Sequence, residues 1–193
     1  MILCLLFNTL CVFGLNYVYK YDYEFTCRVA SLFHSLVSTI GSILFINNIV
    51  SYELFREVIY YNLVFIVTDT YLYLTNKISN IGIIEMIIHH IFFIIAIYIS
   101  DYNPYFYALG LLSEGSTIFL NTRWFAINGY YFKNINFHTL IFWISFLIFR
   151  IFNITYLTYT IYQNKDYNYL IIISLFLILN YRWFYLLSLK LLN

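Results

Sequence analysis

Charged side chains are what this 193-residue sequence has least of: ten Lys or Arg and nine Asp or Glu, 10% of the chain. A soluble domain carries roughly 25% charged residues, because its surface must be solvated. With 63% of the residues hydrophobic, a water-soluble fold would expose apolar patches large enough to drive aggregation. The net charge of +1 comes without any basic block. Nothing is therefore available to neutralise a run of phosphates, and nucleic-acid binding is excluded. The three cysteines, Cys4, Cys11 and Cys27, stand in or near the first apolar segment without CxxC spacing, so no disulfide framework is expected. One proline and six glycines leave little material for loops or linkers. Low-complexity segments and internal repeats are also missing.

What the chain has instead is one apolar run after another. Seven segments, residues 1–18, 28–50, 58–76, 81–99, 104–127, 138–162 and 168–191, each approach the roughly 20 residues that cross a bilayer. The first lacks the basic flank and small-x-small cleavage site of a signal peptide, so a retained helix is expected there. The runs are continuously apolar, as from Leu140 to Leu147 and from Leu170 to Leu179; a transmembrane β-barrel would need alternation instead. Asn103-Pro104 reads as a helix cap followed by proline at the first helical position. The expected fold class is an all-α membrane protein of about seven transmembrane helices. Lys20, Arg28, Lys77, Lys133 and Lys190 fall on one side of that arrangement and only Arg56 and Lys165 on the other. That asymmetry predicts a lumenal N-terminus and a cytosolic C-terminus.

Ionisable and amide groups inside the apolar runs carry the functional information. A charge at a helix centre costs roughly 2.5–3.5 kcal/mol on insertion scales, so each such residue needs a partner or a task. His34, Asp69, Glu85, His89, His90, Glu114, Asn121, Arg123, Arg150 and Asn180 all lie within segments two to seven. Their helices are expected to turn these faces toward a shared interior. Glu85 and His89, four residues apart, lie within about 40° on one stripe, and His90 is turned a further 100° or so. Arg150 is expected to pair with Asp69 or Glu114. Ser31, Ser35, Ser38 and Ser42 form a small-residue seam for close helix packing. His138 reads as interfacial.

Two adjacent imidazoles at mid-bilayer with a carboxylate one turn back point to chemistry, because a neutral imidazole serves as base, nucleophile or metal ligand. Four histidines are too few for a di-iron oxygenase, and no HxxH or HxxxH spacing supports a single metal. No metal ligand is assigned. A retinal-binding protein would want a lysine midway along the last helix, whereas Lys190 stands at its end.

Several stretches resemble the TLC (TRAM–LAG–CLN8) membrane family. Arg28-Val-Ala-Ser-Leu-Phe-His34 is similar to its second-helix signature, as is Asp69 late in the third helix. Ile87-Ile-His-His-Ile91, Leu111-Leu-Ser-Glu-Gly-Ser116 and Phe119-Leu-Asn-Thr-Arg-Trp-Phe125 are similar to its central signature. Phe149-Arg150 and Leu179-Asn-Tyr-Arg-Trp-Phe184 resemble its last two helices. The element from Glu114 to Ser116, with Asn121 and Arg123-Trp124, resembles the TLC domain-containing branch. Ceramide synthases are relatives in which a His-His pair and a later His-Asp-x-x-Asp element line a six-helix barrel. His89 and His90 match the first element, but Leu112-Ser113-Glu114 stands near the place of the second, which tells against ceramide synthesis itself.

The resemblance implies an N-terminal helix and short loop over 1–27, then a six-helix transmembrane barrel over 28–193. It implies a role in lipid metabolism or homeostasis, in the endoplasmic reticulum or a related endomembrane. The leading expectation is an acyltransferase related to ceramide synthases, with acyl-CoA as co-substrate and no bound cofactor. His89, His90 and Glu114 would be catalytic; His34, Asp69, Asn121, Arg123, Arg150 and Asn180 would bind substrate. The alternative is a non-catalytic lipid-binding regulator, sensor or cargo adaptor using the same cavity. An ion or proton pathway is a weaker third reading, because no acidic ladder runs along any one helix. The expected partners are membrane lipids or fatty acyl chains, with a homo- or hetero-oligomer left open.

Overall fold

The computed structural model describes residues 23–76, 83–100, 103–130 and 134–192. They form helices α1 (Tyr23–Ile46), α2 (Tyr52–Asn76), α3 (Ile83–Ser100), α4 (Pro104–Leu111), α5 (Gly115–Ile127), α6 (Ile135–Phe146), α7 (Asn153–Gln163) and α8 (Tyr167–Leu192). No strand occurs among the described residues. The first expected segment, with Cys4 and Cys11, lies outside them, while Cys27 is free and buried.

Three helical stretches among the described residues are long and apolar enough to cross a membrane, fewer than the seven expected: Glu24–Ile46, Ile135–Gln163 and Tyr167–Leu189. The others fall short for physical reasons. Helix α2 has 25 residues, but Glu53, Arg56, Glu57, Asn62 and Asp69 dilute its apolar content. The apolar part of helix α3, Ile84–Tyr98, is too short. The fifth segment, expected as one run, is divided by a single 3-10 turn at Leu112–Glu114 between α4 and α5. It starts where the sequence predicts: Asn103 Oδ1 accepts the Phe106 N–H at 3.2 Å, and Pro104 opens the helix. The sixth segment passes from α6 into α7 through a widened π-helical turn, Leu147–Phe152.

Helix packing closes a ring. Helix α1 packs on α2, α2 on α3, α3 on α8, α8 on both α6 and α7, α6 on α5, and α5 back on α1. The short α4 lies against α1, α3 and α7. Polarity runs opposite to that of a soluble fold. Asn62, Asn121, Asn180, Ser35, Ser38, Ser42 and Ser113 are fully buried, whereas Ile171 is 65% and Ile178 64% exposed. Apolar outside and polar inside is the arrangement that hydrocarbon surroundings demand. The protein is an integral membrane protein.

The serine seam of α1 does more than allow close approach. Ser38 Oγ lies 2.9 Å from Asn62 Oδ1 of α2 and 2.7 Å from the His34 carbonyl, and Ser31 Oγ accepts from Asn121 Nδ2 of α5 at 3.0 Å. Hydrogen bonds of this kind between membrane helices fix their rotation as well as their distance. A Cβ on Gly115 would stand 2.8 Å from the Phe149 ring. Only glycine there lets α5 lie so close to the π turn.

Candidate functional site

The ring encloses a cavity of about 450 Å³. Its wall receives residues from α1, α2, α3, α5, α6 and α8, together with the 3-10 and π turns. Of the polar residues singled out in the sequence, His34, Asp69, Glu85, His89, His90, Glu114, Arg123 and Arg150 all line it. Asn121 and Asn180 are fully buried but lie outside the lining.

The two adjacent histidines of α3 diverge, as their helical offset requires, and each meets a different carboxylate. His89 Nε2 stands 3.6 Å from Glu114 Oε1, on the 3-10 turn. His90 Nε2 stands 3.7 Å from Asp69 Oδ2, on α2. The imidazole centroids are 5.7 Å apart. The second nitrogen of His90 is engaged: Nδ1 lies 2.6 Å from Thr70 Oγ1, and that hydroxyl lies 2.7 Å from the Ile66 carbonyl. His89 Nδ1 is buried without a hydrogen-bond partner, and its ring packs against Phe93, Phe176 and Trp183. His34, across the cavity on α1, stacks face to face on Phe65 at 3.8 Å and 10°; its Nδ1 is also buried without a partner.

Arg150 takes the Glu114 side of the two pairings its sequence position allowed. Its Nη2 is 3.7 Å from Glu114 Oε1. The guanidinium also donates to Ser116 Oγ at 2.7 Å, Thr117 Oγ1 at 3.1 Å and Asn180 Oδ1 at 3.3 Å. Asn180 in turn donates to the Phe176 carbonyl. Asn180 and Asn121 thus hold helices and the guanidinium in place from behind the wall. Glu114 Oε1 sits between an imidazole and a guanidinium without a hydrogen bond shorter than 3.5 Å. The π turn carries Arg150, and such widened turns recur where a helix must aim a side chain at a functional site.

Toward the N-terminal end of α1 the cavity is bordered by Arg28 and Arg123. Arg123 donates to Thr139 Oγ1 at 2.9 Å. Arg28 pairs with Glu24 at 3.7 Å and lies over the Trp124 ring. Glu85 is clamped to α8 by the Trp183 indole N–H at 2.6 Å and Arg182 at 2.9 Å. This clamp closes the seam between α3 and α8.

Sequence reading missed Thr70, Thr117 and Asn62, which look like ordinary helical polar residues. Their only sequence signal is adjacency to Asp69 and Glu114, or an offset that faces a seam. Arg28, which in the sequence opens its apolar segment and counts only toward orientation, is part of the wall.

The arrangement offers two imidazole–carboxylate pairs facing one largely apolar chamber. An imidazole beside a carboxylate is a competent general base or acyl acceptor, because the carboxylate stabilises the charge that develops on the ring. No group of three or more His, Cys, Asp or Glu among the described residues is arranged to hold a metal ion.

A family model, the TLC domain, matches residues 24–189 of this chain. Comparison with curated proteins found no match, and comparison with solved structures found none either.

Proposed function

The chain belongs to the TLC-domain family, and from that premise we propose that its cavity takes up a lipid acyl chain and transfers it to an amine or hydroxyl acceptor. The observation that carries this reading is the pair of imidazoles, each 3.6–3.7 Å from its own carboxylate, on the wall of one cavity. Acyl-CoA is the donor class. In the first half-reaction a neutral imidazole nitrogen attacks the thioester carbonyl. An N–C bond forms, the C–S bond breaks, and the leaving thiolate takes the proton that the ring gives up. In the second, the acceptor attacks the acyl-imidazole and the ring nitrogen recovers a proton. Glu114 and Asp69 stabilise the positive ring, and the apolar wall keeps water from the acyl intermediate. Arg28 and Arg123 border the cavity where an anionic headgroup or phosphate would sit. Under this reading the cavity end carrying them faces the cytosol, in the endoplasmic reticulum or a related endomembrane.

The test is intact-protein mass spectrometry of the detergent-purified chain before and after long-chain acyl-CoA. A hydroxylamine-labile adduct on His89 or His90, lost in the His89→Ala/His90→Ala variant, supports acyl transfer. Undiminished turnover by that variant sinks the mechanism. The alternative is a lipid-binding regulator or sensor. It is favoured by Arg150, each of whose three guanidinium nitrogens has a partner within the protein, as in a rigid receptor. Stoichiometric bound lipid with neither adduct nor turnover would select it.

A further inference from the structure

Resting on the acyl-transfer reading, we propose that Thr70 is a positioning residue that fixes the tautomer of His90, making Nε2 of His90 the reactive nitrogen. The argument is a count of protons. A threonine hydroxyl has one proton to donate and lone pairs to accept. Thr70 Oγ1 stands 2.7 Å from the Ile66 carbonyl, which can only accept. With its proton committed there, the same oxygen must accept at its second contact, 2.6 Å from His90 Nδ1. The proton in that contact therefore belongs to the imidazole. His90 is protonated at Nδ1, and the lone pair resides on Nε2.

The hydrogen bond at one ring nitrogen decides which proton the other carries. Here a backbone carbonyl of α2, relayed through a hydroxyl, takes the orienting part that a carboxylate often plays beside a histidine base. Asp69 then has a different task. Its Oδ2, 3.7 Å from Nε2, is too far to claim a proton in the resting state but close enough to stabilise the ring once Nε2 takes a proton or an acyl group. His89 lacks such an orienting bond. Glu114 lies 3.6 Å from its Nε2, about as far as Asp69 from Nε2 of His90, and its Nδ1 is buried without a hydrogen-bond partner. The two neighbours therefore differ: Thr70 fixes the tautomer of His90 and leaves its Nε2 bare, whereas no hydrogen bond fixes either nitrogen of His89.

Ring ¹⁵N chemical shifts of the full chain in detergent micelles, with His90 assigned through a His90→Gln variant, read the tautomer directly. The expected spectrum has Nδ1 protonated and Nε2 bare. Thr70→Val keeps the shape and removes the bond, so it should populate both tautomers; Thr70→Ser should restore the wild-type spectrum. Unchanged His34 and His89 signals show that a variant is folded. Carbethoxylation of His90 by diethyl pyrocarbonate at Nε2, followed by peptide mass spectrometry, should slow about two-fold in Thr70→Val, as the tautomer with a bare Nε2 falls from nearly all to roughly half of the population, and recover in Thr70→Ser. An Nε2-protonated His90 in the wild type, or a Thr70→Val variant with unaltered tautomer and rate, overturns the proposal. Neither readout uses enzymatic turnover. A fixed tautomer without any acyl adduct from acyl-CoA would count against the acyl-transfer reading alone.

Discussion

Replacing Arg150 with methionine tests whether the buried guanidinium and Glu114 act as one unit. Both side chains are almost wholly enclosed, 6% and 4% exposed. Methionine keeps the reach of the stem but leaves Glu114 as an uncompensated buried charge and strands the acceptors of Thr117 and Asn180. Breaking a buried pair by removing one partner costs about 3–5 kcal/mol. For a chain of this size each kcal/mol lowers Tm by about 2–4 °C, so the single variant should melt roughly 6–20 °C lower. The double variant Arg150→Met/Glu114→Gln removes the stranded charge as well. It should be more stable than the sum of the two single changes by about 0.5–3 kcal/mol, the range for residues in one network. Thermal unfolding in one detergent, followed by tryptophan fluorescence, provides the measurement, since Trp183 lies 5.6 Å from the Arg150 guanidinium. Strict additivity in the double variant would refute the coupling and make the 3.7 Å approach incidental.

Three further outcomes follow from the packing. Gly115→Ala pushes a methyl into the Phe149 ring at 2.8 Å and should destabilise by about 1–3 kcal/mol, the usual cost of overpacking; an unchanged melting curve would show that the ring moves freely. Asn103→Ala removes the α4 cap and should cost about 1 kcal/mol, seen as a small fall in Tm, whereas Asn103→Asp should retain it. Cys27, 3% exposed, should resist a maleimide in the folded protein and react once sodium dodecyl sulfate unfolds it. Equal labelling of its peptide in both states would contradict the burial.

Much of the site was legible because intramembrane polar residues are costly enough to mark themselves. His34, Asp69, His89, His90, Glu114, Arg123 and Arg150 stood out as charges or imidazoles in apolar runs, and the structure gathers them on one cavity. The offset between His89 and His90 already said that the two rings would diverge. The identity of each partner was not legible, because it depends on how neighbouring helices are rotated. The sequence allowed Arg150 to reach Asp69 or Glu114; the ring closure of α5, α6 and α8 selects Glu114. Asn121 and Asn180 look in sequence like the other buried polar residues, yet their amides bind Ser31 and the Phe176 carbonyl. The breaks were hidden too. The polar stretch Ser113-Glu114-Gly115-Ser116 interrupts the apolar run without specifying a 3-10 turn, and around Arg150 the apolar run continues through the π turn without marking it.

That π turn changes what a helical wheel means for this protein. In an unbroken α-helix Phe142 and Ile154, twelve residues apart, would point about 120° away from each other. Both are nonetheless buried, because the widened turn at Leu147–Phe152 winds fewer degrees per residue and brings the second stretch back into phase with the first. The stretch 135–163 therefore has two reading frames joined at a seam. Losing one residue there would leave a regular α-helix in which the same two positions, now eleven apart, differ by only about 20°; the halves would keep their faces, and what would go is the widened turn that carries Arg150.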